Sequence, residues 1–269
     1  MILSHCNQML QPARKIISVV PSQTELLHYF ELEKETLAIT KFCVHPAEWY
    51  CNKIRIGGTK TIDIQKIISL NPDLIIANKE ENVQEQIEQL AIQFPVWLSD
   101  VNTLQGALDM IKDIGELTGS ITKAERLTGE IHNNFATLAE FISTSHFPQA
   151  LSAAYFIWKN PYMTVGSDSF IADMMQKMGL KNMFAHKKRY PHVTINDVKN
   201  AGCQLLLLSS EPYPFAEKEK EELQKQLPDT KILLVDGEMF SWYGSRLLQA
   251  PGYFSSLLKQ MYNSNNLSS

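Results

Sequence analysis

Seven short apolar runs, each separated from the next by a helical pattern, constrain this chain more than any other feature. They are "KIISVV" at 15–20, a run at 37–40, "PDLIIAN" at 72–78, "PVWLSD" at 95–100, "LSAAYFIW" at 151–158, "CQLLLLSS" at 203–210 and "KILLVD" at 231–236. Near-continuous apolar runs belong to strands buried on both faces, and strands alternating with helices build a mainly parallel sheet covered on each side. The predicted class is therefore α/β. Helices are expected at 22–30, where Ser22 caps and Glu25 completes a capping box, and at 63–70 behind Asp63. Others are expected at 82–92, 103–117, 167–178, 194–200, 216–227 and 246–262, while 1–14 and 263–269 read as loose ends.

One segment breaks the alternation. Ile121, Ala124, Leu127, Ile131, Phe135, Leu138 and Ile142 recur at spacings of three and four, which predicts a single helix of about 35 Å. On either side of it the chain repeats itself weakly: helix, turn and strand over 63–74 match 194–205 in length. The expected architecture is two Rossmann-like lobes, 15–118 and 147–262, joined by a backbone helix over 119–146, with a ligand cleft between the lobes.

Lys and Arg number 25 against 29 Asp and Glu, and the net charge of −4 gives no footprint for a nucleic-acid backbone. No apolar run approaches the roughly 20 residues needed to span a bilayer. The start, "MILSHCNQMLQPARK", has no positive n-region, apolar core or cleavage site, so the expected location is cytoplasmic, with periplasmic the alternative if the true start lies upstream. Cys6, Cys43, Cys51 and Cys203 form no CxxC pair and read as reduced thiols, a Cys43–Cys51 bridge being the alternative.

Ligands of open parallel sheets bind beyond the carboxyl ends of the strands. Residues there include Pro21, Ser22, the 43–60 loop with Thr59 and Lys60, Asn78, Glu80 and Glu81 of "NKEEN", Trp158, Met163, Arg189, Tyr190 and His192, and Ser241, Trp242, Tyr243 and Arg246 of "FSWYGSR". Rings and guanidinium groups crowd these loops, as a pocket for a large planar ligand requires; the alternative is that the rings seal the lobes together. Arg189 and Arg246 could grip ligand carboxylates or amides, or else pair with Asp236 or Glu211. Cys43, His45, His192 and Glu238 could ligate a transition metal, or bond locally, and His45 or His192 could make an axial contact to a chelated metal. No GxGxxG, P-loop or GxSxG is present.

Taken together, "VVPSQTELL", "IQKIISLNPDLIIAN", "NPYMTVGSDSFI", "GLKNMF", "RYPHVT" and "MFSWYGSR" resemble the substrate-binding proteins of ABC importers whose lobes are joined by a rigid helix, of the cobalamin- and iron-siderophore-binding type. "KFCVHP", "IGGTK", "SSEPYPF" and "DGEMFSWYGSR" resemble the signal-less "helical backbone metal receptor" branch. The resemblance implies a receptor for a metal chelate such as a corrinoid, haem or ferric siderophore, with no covalent cofactor or chemistry. It places binding loops on Pro21, Ser22, Thr59, Asn78, Met163, Tyr190 and 239–246. Thr59 and Asn78 stand where corrinoid-packing tryptophans are expected, and Gln65 and Asn196 where two glutamates would meet an ABC permease, with Asp197 beside the second. The rival reading is a metal- or cofactor-handling protein or enzyme that uses Glu80, Glu81, Glu238 and the histidines as acid, base or ligand groups.

Overall fold

The computed structural model describes residues 1–3, 5–145 and 150–263. Contacts gather the chain into two compact units. The first holds Met1–Val101, Gln105–Glu130 and Trp242–Arg246; the second holds Asn102–Leu104, Ile131–Ser241 and the residues from Leu247 onward.

The first unit is built on strands β1 (Ile2–Leu3), β2 (Ile16–Ser18), β3 (Thr36–Ile39), β4 (Ile54–Arg55), β5 (Leu74–Asn78) and β6 (Val96–Ser99). They pair in parallel in the order β1-β6-β5-β2-β3-β4. Every residue of β5 is buried, as an unbroken apolar run at the centre of a two-sided sheet must be. Its helices are α1 (Pro21–Tyr29), α2 (Ala47–Asn52), α3 (Ile64–Leu70), α4 (Gln84–Ala91) and most of α5 (Leu104–Thr118). Ile67, Ile87 and Leu90 from α3 and α4 close over Ile17, Ile75 and Val96.

Helix α6 (Ile121–Thr144) is the long helix that the apolar spacing predicts: 24 residues, about 36 Å. Ala124, Leu127, Ile131, Phe135 and Leu138 are its buried stripe. Its first part belongs to one unit and the remainder to the other. A Cβ on Gly115 of α5 would lie 2.5 Å from the Ala124 Cβ, so the approach of α5 and α6 requires glycine at that position.

The second unit contains β7 (Ser152–Phe156), α7 (Phe170–Lys177), β8 (Lys181–Asn182), α8 (Ile195–Asn200), β9 (Leu205–Ser209), α9 (Glu217–Gln226), β10 (Lys231–Val235), α10 (Glu238–Ser241) and α11 (Ala250–Asn263). Its strands are parallel, in the order β10-β9-β7-β8. The repeat shows in the caps. Asp63 accepts the Lys66 N–H ahead of α3, and Thr194 exchanges bonds with Asp197 ahead of α8. The following strands begin at Leu74 and Leu205, so cap and strand recur at the same offset, 194 − 63 = 205 − 74 = 131.

Several expectations need correction. Ser22 does not cap α1: the helix begins at Pro21, whose missing N–H and fixed φ suit the first helical position, and Ser22 is buried within it. The first residues are not loose, since Ile2 and Leu3 pair with Val96 and Trp97, and Leu3 and Ala13 are buried. Elements β1, α2, β4, β8 and α10 have at most six residues each and carry too short a pattern to read. The expected tail beyond 263 lies outside the described residues. All four cysteines are free, which removes the Cys43–Cys51 bridge. Among the described residues no helix is long and apolar enough to cross a membrane.

Candidate functional site

At the carboxyl end of the first sheet the polar side chains are turned inward. Asn78, the last residue of β5, is 1% exposed. Its Oδ1 accepts the N–H groups of Glu80 and Glu81 at 2.9 and 3.2 Å, and its Nδ2 donates to the Ser99 carbonyl at 3.1 Å. Asn82 completes the tie: its Oδ1 accepts the Asn78 N–H, and its Nδ2 donates to the carbonyls of Val19 and Thr59. Asn78 therefore holds β5, β6 and the 78–82 turn together and has no polar atom left for a ligand. Thr59 is buried as well, bonded through its carbonyl. The Asn78 side chain is thus committed to internal bonds, and the Thr59 carbonyl to Asn82.

Beside this tie Lys60 donates to the Glu80 carbonyl at 2.5 Å. Glu81 is half-buried, and burial pushes its carboxyl above the ordinary range, with Glu80 adding to the rise and Lys60 opposing it. Cys43 is fully buried with its Sγ 3.1 Å from the Thr24 hydroxyl and 3.2 Å from that of Thr40, and burial raises its thiol pKa. A metal ligand has to be the thiolate, which this environment disfavours. Among the described residues no three His, Cys, Asp or Glu side chains gather as a metal site, so the set of Cys43, His45, His192 and Glu238 is not assembled.

The segment Trp242–Arg246 packs with the first unit. Arg246 donates to both carboxylate oxygens of Glu25, at 2.7 and 3.2 Å, with its guanidinium 5.0 Å from the centre of the Trp242 ring. His45 meets that indole edge-on at 5.5 Å. A Cβ on Gly244 would lie 3.0 Å from the Ser22 carbonyl, so the two segments approach closely there. Trp242 and Tyr243 are each 6% exposed. These rings pack instead of presenting a face, and Glu25 pairs with Arg246 instead of closing a capping box. Pro21 is half-buried at the start of α1.

The second unit ends differently. Directly after β7 three stretches form a small antiparallel ladder, Trp158 bridging to Met163 and Met163 to His192. The Ile157 N–H donates to the Met163 carbonyl at 3.0 Å and the Met163 N–H to the Trp158 carbonyl at 3.2 Å. Thr164 N–H reaches Pro191 O, and Val193 N–H reaches Tyr162 O, both at 3.0 Å. Ile157, Thr164 and Val193 face inward, while Trp158 is 40% exposed, Met163 half-buried and His192 exposed. Trp158 leans edge-on against Tyr213 at 5.9 Å, and Tyr213 against Phe215 at 4.7 Å. Arg189, with φ of 53°, donates its N–H to Asp168 Oδ1 at 2.6 Å, and that bond holds the Asp168 carboxyl below its usual range. Asp168 is therefore a partner of Arg189. Tyr190 is half-buried beside it. Ser241 donates to Glu211 Oε1 at 2.5 Å, and the Glu238 N–H donates to Asp236 Oδ1 at 3.1 Å. The Met163–His192 pairing and the Tyr213 ring are absent from the sequence reading of this ladder; the only signal is an inside-outside alternation two or three residues long.

A family model described as "Periplasmic binding protein" matches residues 16–231. The chain belongs to that family. As a periplasmic binding protein it is 25% identical over 201 residues to the vitamin B12-binding protein of Vibrio campbellii, covering 74% of this chain and 71% of the relative. It is 24% identical over 187 residues to an uncharacterized ABC transporter substrate-binding lipoprotein of Bacillus subtilis, covering 67% of this chain and 59% of that one. The fold matches the periplasmic haem-binding protein RhuT of Roseiflexus sp. RS-1 with a TM-score of 0.79 at 18% identity, over 94% of this chain and 99% of that one. The expected family and the α/β class are thus borne out, and the chain is a substrate-binding protein. The expected cytoplasmic location is overturned: the family is periplasmic and one relative is a lipoprotein. That expectation rests on the first fifteen residues alone, which carry no weight against family membership.

Proposed function

We propose that this periplasmic binding protein holds a small-molecule metal chelate, of the corrinoid, haem or ferric siderophore class, without covalent chemistry. The observation that carries the reading is the exposed ring surface at the carboxyl end of the second sheet, where Trp158 rests on Tyr213. A rigid aromatic platform offers a chelate large apolar contact area at small entropic cost. The names of the relatives, for vitamin B12 and for haem, point to the same ligand class.

Delivery to an ABC permease is the partner role proposed with it, and Gln65 and Asn196 set its terms. Both are exposed and uncharged. Asp197 does not substitute for a docking carboxylate, because its oxygen accepts the N–H and hydroxyl of Thr194. Docking would then rest on uncharged contacts and respond weakly to salt. Tryptophan fluorescence and native mass spectrometry with haemin, aquacobalamin and a ferric hydroxamate test the reading. Binding of one of them with a Kd of about 1 μM or tighter is expected; no binding of any would contradict it.

A further inference from the structure

We infer that the β8 edge of the second unit is a membrane-contact surface, at which a cluster of lysines meets the anionic headgroups of a lipid bilayer. The inference concerns lipid and stands whether or not the ligand is a chelate.

The distribution of charge carries the argument. Residues 177–199 hold six cations, Lys177, Lys181, Lys187, Lys188, Arg189 and Lys199, against the carboxylate of Asp197, a net charge of +5. The rest of the chain holds 25 − 6 = 19 cations and 29 − 1 = 28 carboxylates, a net charge of −9. This stretch runs from the end of α7 through β8, the last strand in the order β10-β9-β7-β8, to α8, so its cations collect at one side of the sheet. At the other side, residues 211–238 span α9, β10 and the start of α10, with eight carboxylates against four cations. Charge is thus separated across the sheet, and the field of the unit turns the β8 edge toward a negative plane before contact.

Most of these cations are not spent within the protein. Lys177, Lys181, Lys188 and Lys199 are exposed, and none of the four forms an ion pair among the described residues. Arg189 lies 3.9 Å from Asp168, and Lys187 acts on Asp197 through space. Elsewhere in the unit Lys159 is taken by Glu219 and Glu222, and Lys220 by Glu217. The loop that carries Lys187, Lys188 and Arg189 is anchored. Gly166 N–H donates to the Arg189 carbonyl at 2.7 Å and Ser167 N–H to the Lys187 carbonyl at 3.0 Å, and a Cβ on Gly166 would lie 2.6 Å from that Lys187 oxygen. Lysines on a fixed backbone lose less freedom when they meet a surface. Among the described residues no large exposed apolar side chain falls in 177–199, so the edge has no anchor for a protein partner and offers charge alone. Charge without an apolar anchor suits a diffuse plane of phosphates, which for a periplasmic chain is a membrane surface.

Sedimentation of the full chain with vesicles tests the inference, using phosphatidylcholine alone and an equal mixture of it with phosphatidylglycerol. Binding to the mixture and none to phosphatidylcholine alone is expected, and it should be lost in about 1 M salt, where the screening length falls to about 3 Å. At about fivefold per lysine, Lys181→Gln, Lys188→Gln and Lys199→Gln combined should weaken binding about a hundredfold. An unchanged urea midpoint of that variant separates lost contact from lost folding. Lys112→Gln, Lys218→Gln and Lys225→Gln combined, which remove the same charge outside 177–199, should change binding about twofold or less. Equal binding to both vesicle types, equal losses in the two variants or no binding to the mixture would overturn the inference. Retention on immobilised polyglutamate without vesicle binding would also overturn it and make the partner an acidic protein.

Discussion

At the carboxyl end of the first sheet, Asn78, Cys43 and Trp242 are 1%, 0% and 6% exposed. Beyond the end of β7 in the second unit, Trp158 is 40% exposed and His192 lies on the surface. Both ends derive from the same βα repeat, so strand topology is not what separates them. The difference is where the polar and aromatic groups spend their interactions. In the first unit they are spent inside: Asn78 on three strand-end bonds, Arg246 on Glu25, Trp242 between His45 and Arg246. In the second a short ladder uses backbone bonds for its shape and leaves Trp158 and His192 exposed. Residue type at a strand end therefore does not identify a binding residue; its remaining hydrogen-bonding capacity and exposure do.

Substitution at matched rings should give the largest contrast. Trp242→Ala removes a buried indole and its contact with Arg246, and about 3–5 kcal/mol of stability should be lost in urea unfolding. Trp158→Ala should cost about 1 kcal/mol or less and weaken chelate binding instead. Equal losses at the two positions would erase the distinction between the strand ends. Asn78→Ala comes next: it leaves the Glu80 and Glu81 N–H groups without their acceptor, with an expected loss of about 2–3 kcal/mol.

How much of this is legible in the sequence depends on the length of the element. Helix α6 and strands β5 and β9 announce themselves through apolar patterns of five or more residues, and the caps Asp63 and Thr194 stand where helices are expected to open. The ladder consists of pieces two or three residues long, and its defining pair, Met163 and His192, is 29 positions apart. Arg246 and Glu25 are separated by 221. Nothing local in "PSQTELL" shows that Glu25 is taken by an arginine near the other end of the chain. "FSWYGSR" draws attention by its composition, but composition does not say which way its rings turn.

The smallest effect sharpens the comparison by pH. The Glu81 carboxyl is raised in the folded protein, so what it contributes is fully present below its unfolded pKa, near 4, and is lost as pH rises through the higher folded value. Glu81→Gln should therefore leave stability at pH 4 nearly unchanged and increase it modestly at pH 8, as read from urea midpoints. A gain confined to pH 4 would reverse the sign and show that the carboxylate form is the favoured one.

Hydrogen exchange with and without haemin tests the central claim most directly. Amides of 157–164 and 190–193 should slow on binding, while those of 78–82 and 242–246, already committed to internal bonds, should keep their rates. Protection confined to 78–82 and 242–246, with the ladder unchanged, would contradict the assignment of ligand recognition to the second unit.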